Sequence, residues 1–255
     1  MQKAIRVNII GAGNVATHLS KALFAGGVDI VSIFSRDFIN ARVLSRQFGA
    51  KAVDNIQDVE RNVDLNIITV KDDAIASVKN HLPKSVPVVH SSGSASIHLL
   101  EGFNDYGVLY PLQTFSKQRA LDIASIPFLI EGNSIEFEQW IINFTEDYLS
   151  ENAHRANTKK RGEIHLAAVF ACNFTTQLLD ESDSLLKSSG LDISLLHPLI
   201  KETLEKALEL GPREAMTGPA KRGDNATIEK HLNQLQDEEL KTIYQLLSSR
   251  IIANF

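Results

Sequence analysis

Residues 5–16 read Ile5-Arg6-Val7-Asn8-Ile9-Ile10-Gly11-Ala12-Gly13-Asn14-Val15-Ala16, and the chain continues Thr17-His18-Leu19. A short apolar strand enters a glycine turn, and a helix opens directly behind it. This is the spacing of the dinucleotide-binding fingerprint, with Ala16 in place of its last glycine. Gly11 permits the tight turn. Gly13 lets backbone approach a pyrophosphate with no Cβ in the way, and small Ala16 allows close packing of helix on strand. The free N–H groups of the first helical turn, at Asn14 and Val15, then face two negative phosphates. The alternative is a tight turn with no ligand.

The second strand carries information about the cofactor. It begins near Val28-Asp29-Ile30 and ends at Phe34-Ser35-Arg36-Asp37. In an open α/β sheet ligands bind beyond the carboxyl ends of the strands, so Ser35 and Arg36 face the adenosine ribose, whereas Asp29 stands at the wrong end. A carboxylate at the strand end would hold the 2′-hydroxyl of NAD. A hydroxyl and a guanidinium suit a 2′-phosphate, which Arg grips with paired charge-assisted hydrogen bonds. The sequence therefore favours NADP over NAD. The alternatives are a solvated Arg36 and an Asp37 that still reaches a ribose oxygen.

Further strands are expected at Lys51–Val53, Leu65–Val70, Val86–His90, Tyr106–Leu109, Ile126–Glu131 and near Ala153, with helices between them near Ile39–Phe48, from Asp72 or Asp73 to Pro83, and over about Ser134–Leu149. Asp54 is placed to cap the segment after the third strand. This alternation predicts an α/β domain, a doubly wound parallel sheet, over residues 1–156. Strand signals then stop. Residues 157–255 read as a smaller all-helical domain, with a long helix from Lys159 to Lys187 and shorter ones at about 193–210, 227–235 and 237–252. The cleft between two such domains is the default place for a small-molecule substrate.

The bulk numbers narrow the function classes. A net charge of −5 argues against nucleic-acid and anionic-membrane partners. One cysteine, Cys172, excludes an internal disulfide and a cysteine-based metal site, and His154, His197 and His231 lack ligand spacing, so no metal is expected. With no signal peptide and no apolar run long enough for a bilayer, the sequence predicts a cytoplasmic protein.

Polar groups gather on a few segments. Val70 ends the fourth strand, and His90-Ser91-Ser92-Gly93 ends the fifth, where Ser91 and Ser92 are expected beside a nicotinamide. An equal alternative is a capping turn in which Ser94 or Ser96 starts the next helix. Tyr110-Pro111-Leu112-Gln113 ends the next strand, with Gln113 as its polar group to watch. In the long helix His165, Cys172 and Asn173 interrupt an apolar run. At about 100° per residue His165, Cys172 and Thr176 share a stripe, and Asn173 lies about 80° round. His165 is the expected proton donor or acceptor, Asn173 a holder of substrate carbonyl or carboxylate, and Arg222 a carboxylate clamp. The bland readings are a packing His165, an Asn173 bound across a helix pair, and an Arg222 held by Asp224.

Gly11-Ala-Gly-Asn-Val-Ala16, His90-Ser-Ser-Gly93, Tyr110-Pro-Leu-Gln-Thr-Phe115, His165-Leu-Ala-Ala-Val-Phe-Ala-Cys-Asn173 and Thr217-Gly-Pro-Ala-Lys-Arg-Gly-Asp224 together resemble the Rossmann-like family with the DUF2520 domain. More widely the chain resembles the superfamily of pyrroline-5-carboxylate reductase, 3-hydroxyisobutyrate dehydrogenase and prephenate dehydrogenase. The resemblance spans essentially the whole chain. It implies an N-terminal Rossmann domain joined to a helical domain, and an NADP-dependent oxidoreductase that moves a hydride to or from a small carboxylate-bearing carbonyl, imine or hydroxy compound. It further implies a substrate loop at Arg222, acting in its own subunit or a neighbour's. One departure is clear. Relatives of 3-hydroxyisobutyrate dehydrogenase place a catalytic lysine one turn before the equivalent of Asn173, and this chain has Val169 there. Their lysine mechanism does not transfer, and a non-catalytic NADP(H)-binding sensor or scaffold is the competing expectation. A homodimer through the helical domain, along the apolar helix at 163–186, suits either.

Overall fold

A computed structural model describes residues 4–255 as two compact units that divide at Thr176/Gln177. The first unit contains one eight-stranded sheet. Its elements in chain order are β1 (Arg6–Ile10), α1 (Asn14–Ala25), β2 (Asp29–Phe34), α2 (Phe38–Ser45), β3 (Lys51–Val53), β4 (Leu65–Ile68), α3 (Asp72–Lys79), β5 (Val88–His90), β6 (Tyr106–Pro111), β7 (Phe128–Gly132), α4 (Ile135–Tyr148) and β8 (Ala153–Arg155). The strand order is β3-β2-β1-β4-β5-β6-β7-β8. The first six strands are parallel, β7 pairs antiparallel to β6, and β8 pairs parallel to β7. The expectation of a doubly wound parallel sheet holds for the first six strands; the antiparallel β7 departs from it, and the reversal has a simple cause. Residues 112–127 contain only a single 3-10 turn at Ile123–Ser125, and a parallel return needs a longer crossover, usually a helix.

The central strands are apolar because both faces are covered. Val7, Ile9, Leu65, Ile67, Val89 and Leu109 face α1 and α4 in one core, while Ile10, Ile68 and Val88 meet Ile75, Val78 and Leu100 in the other. Strand order reverses at β1, whose neighbours are β2 and β4, and the β1–α1 turn therefore opens into the crevice where such sheets bind ligands.

Two caps differ from the sequence expectation. Asn55, rather than Asp54, accepts from Gln57 N to start the turn after β3. Neither Asp72 nor Asp73 caps α3. Lys71 is the N-cap residue without a side-chain bond, and Asp72 instead accepts from the hydroxyls of Ser92 and Ser94.

After β8 the chain forms one long helix in three parts: α5 (Thr158–Ala168), a π segment (Val169–Phe174) and α6 (Thr175–Ser188). Its first turns belong to the sheet unit, beyond the 156/157 boundary suggested by the end of strand signals. Arg161, with no exposed surface, pairs with Glu131 on β7 and donates to Ala95 O at 2.6 Å. The second unit continues with α7 (His197–Leu210), α8 (Pro212–Ala215), α9 (Asn225–Gln234) and α10 (Glu238–Ile252). His231 Nδ1 and Tyr244 Oη, 2.8 Å apart, join α9 to α10. Only Ala220 and Ser248 are buried among residues 177–255, and both apolar cores lie wholly in the first unit. No helix among the described residues is long and apolar enough to cross a membrane.

Candidate functional site

The turn after β1 is built as its glycines require. Gly11 has φ +133°, and a Cβ there would lie 2.5 Å from Thr69 Oγ1 and 2.9 Å from the Thr69 backbone. Only glycine fits this approach of two strand ends. Gly11 N donates to Phe34 O, whereas Ala12 N and Gly13 N have no backbone acceptor among the described residues. Unpaired N–H groups at a helix N-terminus are suited to an anion. Beside them a groove of 340 Å³ is lined by Gly11, Gly13, Ser35, Arg36, Val70 and Lys71, among others.

Within this groove the second strand behaves as its order of residues suggests. Asp37 is committed to α2: its Oδ1 accepts from Ile39 N and its Oδ2 from Asn40, both at 2.9 Å. Arg36 has no carboxylate within ion-pair distance among the described residues, while Asp29 pairs with Arg6 at the other end of β2, 3.5 Å away. The strand end thus offers a guanidinium and a hydroxyl, the donor set for a phosphate, with the adjacent carboxylate engaged by its cap.

Asn14, Val15, Ser91 and Ser92, also expected at a dinucleotide, do not line this groove. Asn14 uses its amide to donate to Phe115 O at 2.8 Å, and Val15 packs against the core. Ser91 N extends the sheet ladder to Ile68 O. Ser92 Oγ donates to Asp72 and accepts from Ser94 N and Ala95 N, while Ser96 caps the turn at Ile97–Leu100. The capping-turn alternative is what the structure displays, with the hydroxyls of Ser92 and Ser96 taken by the turn itself.

His90, fully buried, accepts at Nδ1 from Ser92 N at 3.2 Å. Burial, with the Arg161 charge added, pushes it down to about 4, so it stays neutral at pH 7.

A second pocket, of 370 Å³, is lined by Tyr110, Gln113, Phe115, His165, Cys172 and Asn173, with smaller side chains filling the gaps. Tyr110 Oη lies 3.0 Å from His165 Nδ1, the rings meeting edge to face at 5.9 Å. Burial pushes the Tyr110 phenol up, which keeps it protonated. Gly93 makes this pair possible. A Cβ on it would sit 2.6 Å from His165 Nδ1 and 2.7 Å from Tyr110 Cζ.

His165 and Asn173 share this pocket although a regular helix would set them about 80° apart. The π segment between them accounts for the difference. Its wider turns hold an extra residue and bring Asn173 back toward the His165 stripe by up to about 100°. No Lys, Arg, Asp or Glu lines the pocket.

Arg222 stands in the second unit, exposed on the turn before α9, with its N–H bonded to Pro219 O at 3.1 Å. No ion pair joins it to Asp224 among the described residues. Asp224 caps α9 by accepting from Thr227 N and Thr227 Oγ1. Among the described residues no cluster of His, Cys, Asp or Glu could hold a metal ion.

Sequence reasoning did not single out Tyr110 or Gly93 as site residues, nor the contact that Lys117 makes with the turn. Lys117 Nζ donates to Ala12 O at 2.9 Å. Tyr110 stands at the end of the strand expected over Tyr106–Leu109, beside Gln113, and that position was the available signal.

Residues 6–90 match the family model described as "NADP oxidoreductase coenzyme F420-dependent", and residues 126–251 match "Domain of unknown function (DUF2520)". A structure titled "putative NADP oxidoreductase" from Bacteroides fragilis is 37% identical over 98% of each chain, with a TM-score of 0.92. A Thermotoga maritima protein is 24% identical over 97% of each chain, with a TM-score of 0.72. A reductive aminase from Aspergillus terreus, solved with NADPH and ethyl-5-oxohexanoate, shares the fold at 14% identity. It covers 98% of this chain and 94% of its own, with a TM-score of 0.73. No curated protein matches the sequence.

Proposed function

The chain belongs to the family of NADP oxidoreductases that carry the DUF2520 domain, and from that premise we propose that it reduces, or in reverse oxidises, a small carboxylate-bearing carbonyl, imine or hydroxy compound. NADP is the cofactor of the family. The groove fits it: Gly13 has open space where a Cβ would stand, Ala12 and Gly13 present free N–H groups, and Arg36 with Ser35 meets a 2′-phosphate. When bound, NADPH supplies the hydride.

The observation that carries the reading is the pocket in which His165, Asn173 and Tyr110 converge. Its wall at Phe115 is tied to the dinucleotide turn through Asn14. His165 delivers the proton to the substrate oxygen or nitrogen in reduction and removes it in oxidation. The Tyr110 hydroxyl on Nδ1 fixes the ring and leaves Nε2 for the substrate. Asn173 holds the polar group beside the reacting carbon. No cation lines the pocket, and Arg222, exposed and without an ion pair among the described residues, is kept as the candidate carboxylate clamp.

The test is His165→Ala, assayed on a panel of small keto acids, imino acids and hydroxy acids. NADPH affinity is expected to stay within about twofold while turnover falls roughly 10²-fold or more. Equal loss of both marks a structural histidine. The charge-free pocket also supports a second reading, a sensor that binds NADP(H) without catalysis. Tight NADPH binding with no hydride exchange on the whole panel selects it.

A homodimer through the helical residues fits both readings. Leu195, Leu199, Leu208 and Leu246 of the second unit are each more than 60% exposed, as is Phe170 on the back of the helix that bears His165. A helical unit with two buried residues cannot offset its own chain entropy, and a second copy of the same apolar surface supplies the missing core. Light scattering that gives twice the chain mass supports this, and a stable folded monomer refutes it.

A further inference from the structure

Lys117 lies in the segment between β6 and β7, far in sequence from the fingerprint, yet its ammonium is bonded to the middle carbonyl of the turn, Ala12 O, at 2.9 Å. The carbonyl and the following N–H of a planar trans peptide point in opposite directions. An ammonium held on Ala12 O therefore fixes that peptide plane and aims Gly13 N–H away from Lys117. The groove lined by Gly11, Ala12 and Gly13 does not include Lys117, which lines a different cavity of 440 Å³ with His18 and Lys21. The charge also polarises the peptide, which strengthens its N–H as a donor. No carboxylate among the described residues lies within ion-pair distance of Lys117 to compete for it.

The same short segment is tied down twice more. Asn14 Nδ2 donates to Phe115 O at 2.8 Å, and His18 Nε2 donates to Ser116 O at 2.9 Å. His18 is buried and its ring packs on Phe115, the centroids 5.3 Å apart. From its other side the segment gives Gln113, Thr114 and Phe115 to the pocket that holds His165 and Asn173. One stretch of chain thus touches the dinucleotide turn with Lys117 and the helix behind it with two carbonyls, and walls the catalytic pocket with Gln113, Thr114 and Phe115.

We propose that Lys117 is a positioning residue for the dinucleotide turn, aiming Gly13 N–H at the cofactor pyrophosphate and, through the segment it anchors, coupling cofactor binding to the wall of the catalytic pocket. This rests on the reading that the groove binds NADPH.

The test titrates the full chain with NADPH by fluorescence as wild type, Lys117→Met and Lys21→Met, and follows backbone hydrogen exchange with and without NADPH. Lys21, exposed on α1, lines the same cavity without a bond to the turn and reports the general effect of losing one positive charge nearby. Lys117→Met is expected to weaken NADPH about tenfold, the scale of one lost charge-assisted hydrogen bond, and Lys21→Met to leave it within about twofold. NADPH is expected to slow exchange at residues 113–117 in wild type and not in Lys117→Met. The proposal is overturned if Lys117→Met binds as wild type or if both lysine variants lose affinity equally. It is also overturned if exchange slows at residues 11–16 with no change at 113–117. A wild type that binds no NADPH, with no protection at residues 11–16, overturns the groove reading as well.

Discussion

Replacing Gly93 with alanine is expected to destabilise the protein by a mechanism that can be traced to two side chains. The added Cβ would stand 2.6 Å from His165 Nδ1 and 2.7 Å from Tyr110 Cζ, both well inside van der Waals contact. Tyr110 is carried by β6, and His165 follows Arg161 by one turn on a helix pinned to β7 through Glu131, so neither backbone yields easily. The His165 ring must rotate, losing its 3.0 Å bond to Tyr110, or the site must carry the overlap. The first costs about 1 kcal/mol and the second about 1–3 kcal/mol. Thermal unfolding should shift down by roughly 2–4 °C for each kcal/mol in a unit of this size. The specific claim concerns coupling. In a His165→Ala background part of the clash is gone, so Gly93→Ala should cost less there, by at least about 0.5 kcal/mol. The clash with Tyr110 remains, so some cost persists. Strictly additive costs, or a Gly93→Ala protein as stable as wild type, would refute the geometry assigned to this pair.

Other perturbations reach the layer beneath the pocket. His90 is depressed from 6.5 to about 4 in the folded chain. Below pH 6.5 the unfolded chain takes up a proton that the folded one refuses, so stability falls as pH drops through this window, by about 2 kcal/mol between pH 7 and pH 5. Urea unfolding at both pH values should show a larger drop for wild type than for His90→Asn, and equal drops would contradict the assignment. Arg161→Met strands Glu131, whose side chain is only 13% exposed, and should cost about 3–5 kcal/mol. Adding Glu131→Gln should recover part of that loss. A cost below about 1 kcal/mol for Arg161→Met alone would mean the pair is not buried as described.

The fold was legible because its signals are local. Apolar runs such as Leu65–Ile68 and the fingerprint at Gly11–Ala16 each act over a few residues. The reversal at β7 was also open to reading, since residues 112–127 lack a helix to carry a parallel crossover. Of the candidate site, the sequence pointed to Arg36 at a strand end and to His165 and Asn173 as polar residues of an apolar helix, and these line the groove and the pocket. What escaped depends on contacts between distant segments. Tyr110 meets His165 across 55 residues, and Lys117 meets Ala12 across 105. No periodicity encodes such pairs. The π segment escaped for another reason: a 100° step assumes an unbroken α-helix, so Asn173 fell off the His165 stripe on paper and lies in its pocket in the structure. Asn14 shows the opposite limit. Its place on the first helical turn marks it as a phosphate neighbour, but its side chain is spent on Phe115 O.

The central claim is that the groove beside Arg36 binds NADP in preference to NAD. Fluorescence titration of the protein with NADPH and with NADH, in wild type and Arg36→Ala, tests it most directly. NADPH should bind at least roughly tenfold more tightly than NADH in wild type, and Arg36→Ala should erase most of that preference by weakening NADPH alone. Equal affinity for both nucleotides, or a preference that survives the loss of Arg36, would contradict the account.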